Sequence, residues 1–113
     1  MEDNRSYCCY CEEELFFFTQ TREHLVCVSH GGSGSNDNIA PCCKFCNTER
    51  GDKTMGEFLS HLKEKLIDFK STPKQRKKLE TKIKNVEAII VYIDENAELL
   101  YRSSKLPAKY SRR

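Results

Sequence analysis

Residues 8–11 read Cys-Cys-Tyr-Cys and residues 43–46 read Cys-Lys-Phe-Cys, two C-x-x-C pairs with 31 residues between them. Each pair suits a tight turn, and two such turns converging present four thiolates, the ligand set of a structural, tetrahedral Zn²⁺ site. The chain has seven cysteines, an odd number, and its first residues, MEDNRSYCCY, are acidic and polar, unlike a secretory signal. That context favours a reducing cytoplasm and metal ligation over a disulfide framework. Cys9 and Cys42 adjoin the pairs and can substitute for their neighbours, but only Cys8 with Cys11 and Cys43 with Cys46 give two x-x spacings. Cys27, flanked by valines, reads as a small hydrophobe. With all four sulfurs used, no coordination position stays open, so this metal is a staple. Large aliphatics are few in residues 1–52, and a staple is what would let that part fold.

Outward from the pairs, the segment from Leu15 to Ser29 holds LFFFTQT and HLVCVS, aromatic and β-branched residues that favour strand. A flexible loop, Gly31 to Asp37, follows, and Ile39-Ala40 suits a short second strand. Residues 42–50 suit a short helix stopped by Gly51 in a left-handed cap. Beyond it, Thr54 and Glu57 are spaced as a capping box, followed by Met55, Leu59, Leu62, Leu66 and Phe69 at alternating helical intervals. Thr72, Pro73 and Gln75 mark a second helix start, with Leu79, Ile83, Val86, Ile90, Ile93, Ala97 and Leu100 as its stripe. Two such stripes joined by a short turn predict an antiparallel helical hairpin. The fold class expected is therefore α+β: a zinc-stapled module over 1–53, a hairpin over 54–103 and a basic, frayed tail over 104–113. The stretch 89–93 is apolar almost all round, which predicts packing on the metal module or on a second copy.

Charge divides along the chain: residues 1–52 carry a net −5 and residues 53–113 a net +7. An acidic half able to hold cations and a basic half able to hold phosphates suit a nucleic-acid enzyme. No apolar run approaches the roughly 18 residues of a membrane span, so no membrane partner is expected.

Between the cysteine pairs lie Thr21-Arg22-Glu23-His24-Leu25-Val26, Ser29-His30-Gly31-Gly32 and Asn38-Ile39, and the second pair runs into Cys46-Asn47. Together with the pairs, this resembles the HNH endonucleases, over about residues 8–59. Those enzymes place a carboxylate–His pair, a Gly-Gly turn, an Asn and a final His or Asn in this order. The resemblance implies the ββα-metal fold with one divalent ion. By position it implies that His24 is the general base; imidazole is the side chain suited to moving a proton near neutral pH. It also implies that Glu23 and Asn47 bind Mg²⁺ or Mn²⁺ and that the Asn38 amide ties the loop backbone and holds the histidine. Strand alternation would turn Glu23 and His24 to opposite faces, so a twist or bulge is expected to bring both to the site. Three residues depart from the usual pattern: Glu23 replaces Asp, Cys27 replaces Pro, and Arg50 replaces Lys while keeping positive charge near a phosphate. Asn36 competes with Asn38, though Asn38 precedes the apolar Ile39. His30 reads equally as a phosphate contact or an exposed loop residue, and His61 as a surface residue.

Lys74, Arg76, Lys77 and Lys78 crowd the start of the second hairpin helix, against its dipole. That placement suits phosphate binding, and Arg102, Lys105, Lys109, Arg112 and Arg113 would add backbone grip. The expectation is a metal-dependent HNH endonuclease acting on DNA, with the hairpin contacting DNA, a protein partner or a second copy in a homodimer. The alternative is a noncatalytic, zinc-stapled module that binds nucleic acid or protein on the same fold.

Overall fold

The computed structural model describes residues 5–68 and 70–110. Phe69, Arg112 and Arg113 lie outside the described residues. The architecture is α+β: two small antiparallel sheets and three helices. Strands β1 (Ser6–Tyr7) and β2 (Glu14–Leu15) form a short hairpin around the first cysteine pair. Its tip is a tight knuckle in which Glu12 takes a positive φ of 65° and donates its amide to the Cys8 carbonyl at 3.0 Å. Strand β3 (Gln20–His24) pairs in continuous register with β4 (Ile39–Cys43), from Gln20 opposite Cys43 to His24 opposite Ile39.

The strand expected across Leu15–Ser29 is broken by a turn at Phe16–Thr19. The Thr19 hydroxyl accepts the Phe16 amide at 2.9 Å, and the Thr19 and Gln20 amides both donate to the Phe16 carbonyl. Phe16, Phe17 and Phe18 are left exposed, Phe17 by 93%. A side chain–backbone bond here overrides the strand propensity of three phenylalanines.

Helix α1 (Lys44–Arg50) begins directly at the end of β4 and ends at Gly51, whose φ of 55° favours glycine. Its ψ of −133° differs from that of the expected left-handed helical cap. Helices α2 (Met55–Ile67) and α3 (Pro73–Leu100) form the hairpin, each opened by a complete capping box, Thr54 with Glu57 and Thr72 with Gln75. Each box satisfies amides that a helix start leaves without partners.

One buried cluster runs from the cysteines through Tyr10, Phe58 and Leu62 to Val86, Ile93 and Leu100. The 89–93 segment packs on the metal-bearing half: Ile93 is buried, Ile89 and Ile90 lie against the core, and the Tyr92 hydroxyl donates to the Asp37 carbonyl at 2.9 Å. The tail differs from the frayed segment expected. Ser103–Lys105 and Ala108–Tyr110 are short 3₁₀ turns, and the Tyr110 hydroxyl donates to Asp94 at 2.6 Å. No helix among the described residues is long and apolar enough to cross a membrane.

Candidate functional site

The two C-x-x-C turns meet where the β1–β2 knuckle lies against the β4–α1 junction. The sulfurs of Cys8, Cys11, Cys43 and Cys46 all lie within 4.8 Å of one another. A tetrahedral ion with Zn–S bonds of about 2.3 Å needs sulfurs about 3.8 Å apart, and Cys11 and Cys43 stand at 3.9 Å. Backbone amides already donate to the sulfurs, Tyr10 N to Cys8 at 3.5 Å and Cys46 N to Cys43 at 3.4 Å. Burial pushes the Cys11 thiol up to about 11, and a coordinated cation reverses that penalty by stabilising the thiolate. The four cysteines can therefore hold a metal such as zinc. Cys42, fully buried, has its sulfur 4.0 Å from that of Cys8 but falls outside the four-sulfur group.

Helix α1 lies along the edge of β3 that β4 leaves unpaired. Asn47 and Arg50, one turn apart, meet the carbonyls of Arg22 and His24, two residues apart on the strand. The Asn47 amide nitrogen donates to the Thr21 hydroxyl at 2.9 Å and reaches the Arg22 carbonyl at 3.5 Å. Arg50 is 1% exposed. Its Nε donates to the Lys53 carbonyl at 2.6 Å, Nη2 to the Leu25 carbonyl at 2.9 Å, and Nη1 to the His24 carbonyl at 2.9 Å and to Glu23 Oε2 at 3.1 Å. This corrects the expectation that Arg50 lies near a phosphate: its guanidinium is spent inside the protein, bracing the end of β3.

Glu23 also sits differently from its expected place. It is 5% exposed, and its Oε2 accepts both Arg50 and the Tyr10 hydroxyl, the latter at 2.7 Å. No bulge interrupts the register of β3 with β4, so Glu23 and His24 lie on opposite faces of the strand. The carboxylate expected to bind a hydrated ion is instead the counter-charge of a buried guanidinium. It does not fit the ligand role in this arrangement. Tyr10 completes the group; burial and the nearby Glu23 carboxylate hold its phenol well above the usual range.

His24 is half-buried, and its ring makes no hydrogen bond or ion pair among the described residues. The loop that follows it is tightly specified. Asn38 is fully buried: its Oδ1 accepts the Val26 amide at 2.9 Å, and its Nδ2 donates to the carbonyls of Val26 and Ser33 at 3.0 and 2.9 Å. Asn36, by contrast, is exposed. A Cβ on Gly32 would lie 1.9 Å from the Val26 carbonyl oxygen, so only glycine fits there. Cys27 has a φ of −59°, the value proline itself would impose. His30 is exposed, and its Nε2 lies 2.6 Å from the Asp52 carbonyl, a contact that ties the loop to the turn following α1.

The Gly-Gly loop is also joined to the far end of the chain. Ser33 N donates to the Leu100 carbonyl and Arg102 N to the Gly31 carbonyl, both at 2.8 Å, and Gly32 bridges Tyr101.

Of the basic residues at the start of α3, Lys74 and Lys77 are exposed, while Arg76 donates to the Leu66 carbonyl at 3.0 Å and Lys78 pairs with Glu13 at 2.6 Å. The sequence reading missed the contacts that tie α3 to the metal-bearing half. Lys82, 3% exposed, donates to Glu49 Oε1 at 2.9 Å, and Lys65 to Glu49 Oε2 at 2.5 Å. Burial works against the Glu49 charge, but these two ammonium groups win and hold its carboxyl below the usual carboxylate range. Asn85 donates to the Tyr10 carbonyl at 2.7 Å and to Glu12 at 2.9 Å. The available signal was a polar residue, Lys82, one turn before Val86 within the apolar stripe, and an aromatic, Tyr10, inside a cysteine pair.

No family model matches the chain, and neither curated proteins nor solved structures yield a match.

Proposed function

We infer that the chain is a metal-dependent endonuclease of the HNH kind, hydrolysing DNA phosphodiesters with His24 as general base and a structural zinc held by the four cysteines. The observation that carries this reading is the setting of His24. It ends the strand of a cysteine-anchored hairpin, its ring without a protein partner among the described residues, with the Asn38 amide locking the loop behind it. In this reading the imidazole takes the proton of the attacking water. A bound Mg²⁺ or Mn²⁺ would supply Lewis acidity toward the scissile phosphate and the leaving 3′-oxygen. The side-chain oxygen of Asn47 is the ligand this chain offers such an ion. Glu23 serves as a positioning carboxylate, holding Arg50 against the carbonyls of His24 and Leu25. The exposed Lys74 and Lys77 would bind backbone phosphates electrostatically.

The buried Glu23–Arg50 pair also favours a second reading, a zinc-stapled module that binds nucleic acid or protein without turnover, because it removes the expected carboxylate from the ion. Supercoiled plasmid with Mg²⁺ or Mn²⁺ separates the two. The nuclease nicks or linearises it, and His24→Ala slows cutting by about 10²–10⁴-fold with zinc content and circular dichroism unchanged. Plasmid left intact by the wild type, or cut equally by both proteins, ends the nuclease reading with His24 as base.

A further inference from the structure

A cleft of about 310 Å³ opens between the start of α1, the end of α2 and the first turns of α3, lined by Phe45, Lys65, Ser71, Gln75, Lys78 and Lys82 among others. Its aromatic wall is unusual in position. Phe45 lies between the ligand candidates Cys43 and Cys46, so its backbone is held by the cysteine cluster, yet its side chain is 64% exposed. The Lys82 ammonium sits 4.8 Å from the ring centroid and also donates to Glu49 Oε1 at 2.9 Å. One carboxylate, Glu49, thus serves two lysines, Lys65 and Lys82. The third, Lys78, is held by an exposed pair with Glu13, the two side chains 44% and 58% accessible, and such pairs are weak. Exposed Lys74 and Lys77 on the adjoining turn of α3 and Lys44 beside Phe45 add positive charge, against the negative charge of the thiolate cluster.

We propose that this cleft is a subsite for one unpaired nucleotide of a DNA strand, its base lying against Phe45 and its phosphate on Lys65 and Lys78. An exposed ring beside ammonium groups matches what an unpaired strand offers, a π-face next to a phosphate, whereas a duplex keeps its base faces stacked on one another. The subsite deepens the nuclease reading by naming the form of DNA that is held, and the cleft does not include His24.

The test is binding of a fluorescein-labelled twelve-residue oligothymidylate by anisotropy, without added divalent ion so that no turnover occurs. Phe45→Ala weakens binding about tenfold, while duplex of the same length loses much less. Lys78→Gln lowers the slope of log affinity against log salt by about 0.7. Phe17→Ala, which removes the most exposed phenylalanine elsewhere on the surface, leaves the affinity unchanged. Metal content and circular dichroism confirm that each variant is folded, and Phe45→Leu, which keeps an apolar side chain of similar bulk, weakens binding as Phe45→Ala does. Excess thymidine monophosphate separates a strand site from a free-nucleotide site: it competes poorly if the strand is the ligand, and displacement near stoichiometric levels would overturn that assignment. Equal affinities for wild type and Phe45→Ala, or loss of binding on Phe17→Ala alone, would also overturn it. If Phe45→Ala weakens binding but the wild type never cuts plasmid, the subsite stands and the nuclease reading fails; the reverse pattern sinks only the subsite.

Discussion

Arg50 is an arginine almost wholly withdrawn from solvent, and its guanidinium ties three carbonyls and one carboxylate into a single bracket. Removing one partner of such a pair leaves the other charge buried, at a cost of about 3–5 kcal/mol. Arg50→Met should therefore lower stability by that order, read from urea unfolding of the metal-loaded protein. The double variant Arg50→Met with Glu23→Gln should recover part of the loss, because no uncompensated charge remains. A loss below about 1 kcal/mol for the single variant would mean that the bracket is not formed in solution. Sequence alone presented Arg50 as a basic residue beside a candidate site and Glu23 as a hard ligand. Their pairing was hidden because they stand 27 residues apart and because backbone carbonyls leave no mark in a sequence. Asn38 was easier to place, since its position before an apolar strand residue distinguished it from Asn36.

At the scale of elements, three helices share one carboxylate. Glu49 on α1 accepts Lys65 from α2 and Lys82 from α3, and His61 of α2 approaches it at 3.5 Å. Because the folded protein holds the Glu49 carboxyl below its ordinary value, the stabilisation is complete above that ordinary value and is lost as pH falls through the lowered one. Glu49→Gln should cost about 1.5–3 kcal/mol at pH 7. The gap between wild type and variant in urea midpoint should narrow on acidification below about pH 4; a gap that stays constant to pH 3 would contradict the hub. The helices themselves were legible, since capping boxes and alternating apolar intervals are local signals that α2 and α3 carry in full. The joints between them were not, because a lysine within an apolar stripe does not name the acid that will neutralise it. The Phe16–Phe18 run was misread as strand for a related reason. Propensity reports that three phenylalanines can pair, while the Thr19 hydroxyl decides that they turn.

For the molecule as a whole, the cysteine cluster is the point through which both sheets and α1 are joined, and α3 reaches it through Lys82 and Asn85. Structural zinc sites of this type carry on the order of 10 kcal/mol or more of apparent binding energy, comparable to the whole stability of a small domain. Stripping the metal with a strong chelator should therefore abolish the cooperative thermal transition, and one equivalent of Zn²⁺ per chain, but not Mg²⁺, should restore it. An unchanged melt with no bound metal would refute the staple. That cluster was the most legible feature of the sequence, because two x-x spacings are enough to announce it.

The seam between Gly31–Ser33 and Leu100–Arg102 carries a consequence for biosynthesis. The cysteines are all made before the helical hairpin begins, and the β3–β4 ribbon with them. The glycine loop behind His24 lacks its final partner until Arg102 has emerged from the ribosome. A nascent chain stalled inside the long helix would carry a gathered set of sulfurs beside an unfinished loop, so the histidine's surroundings are completed only once residues 100–102 have joined it.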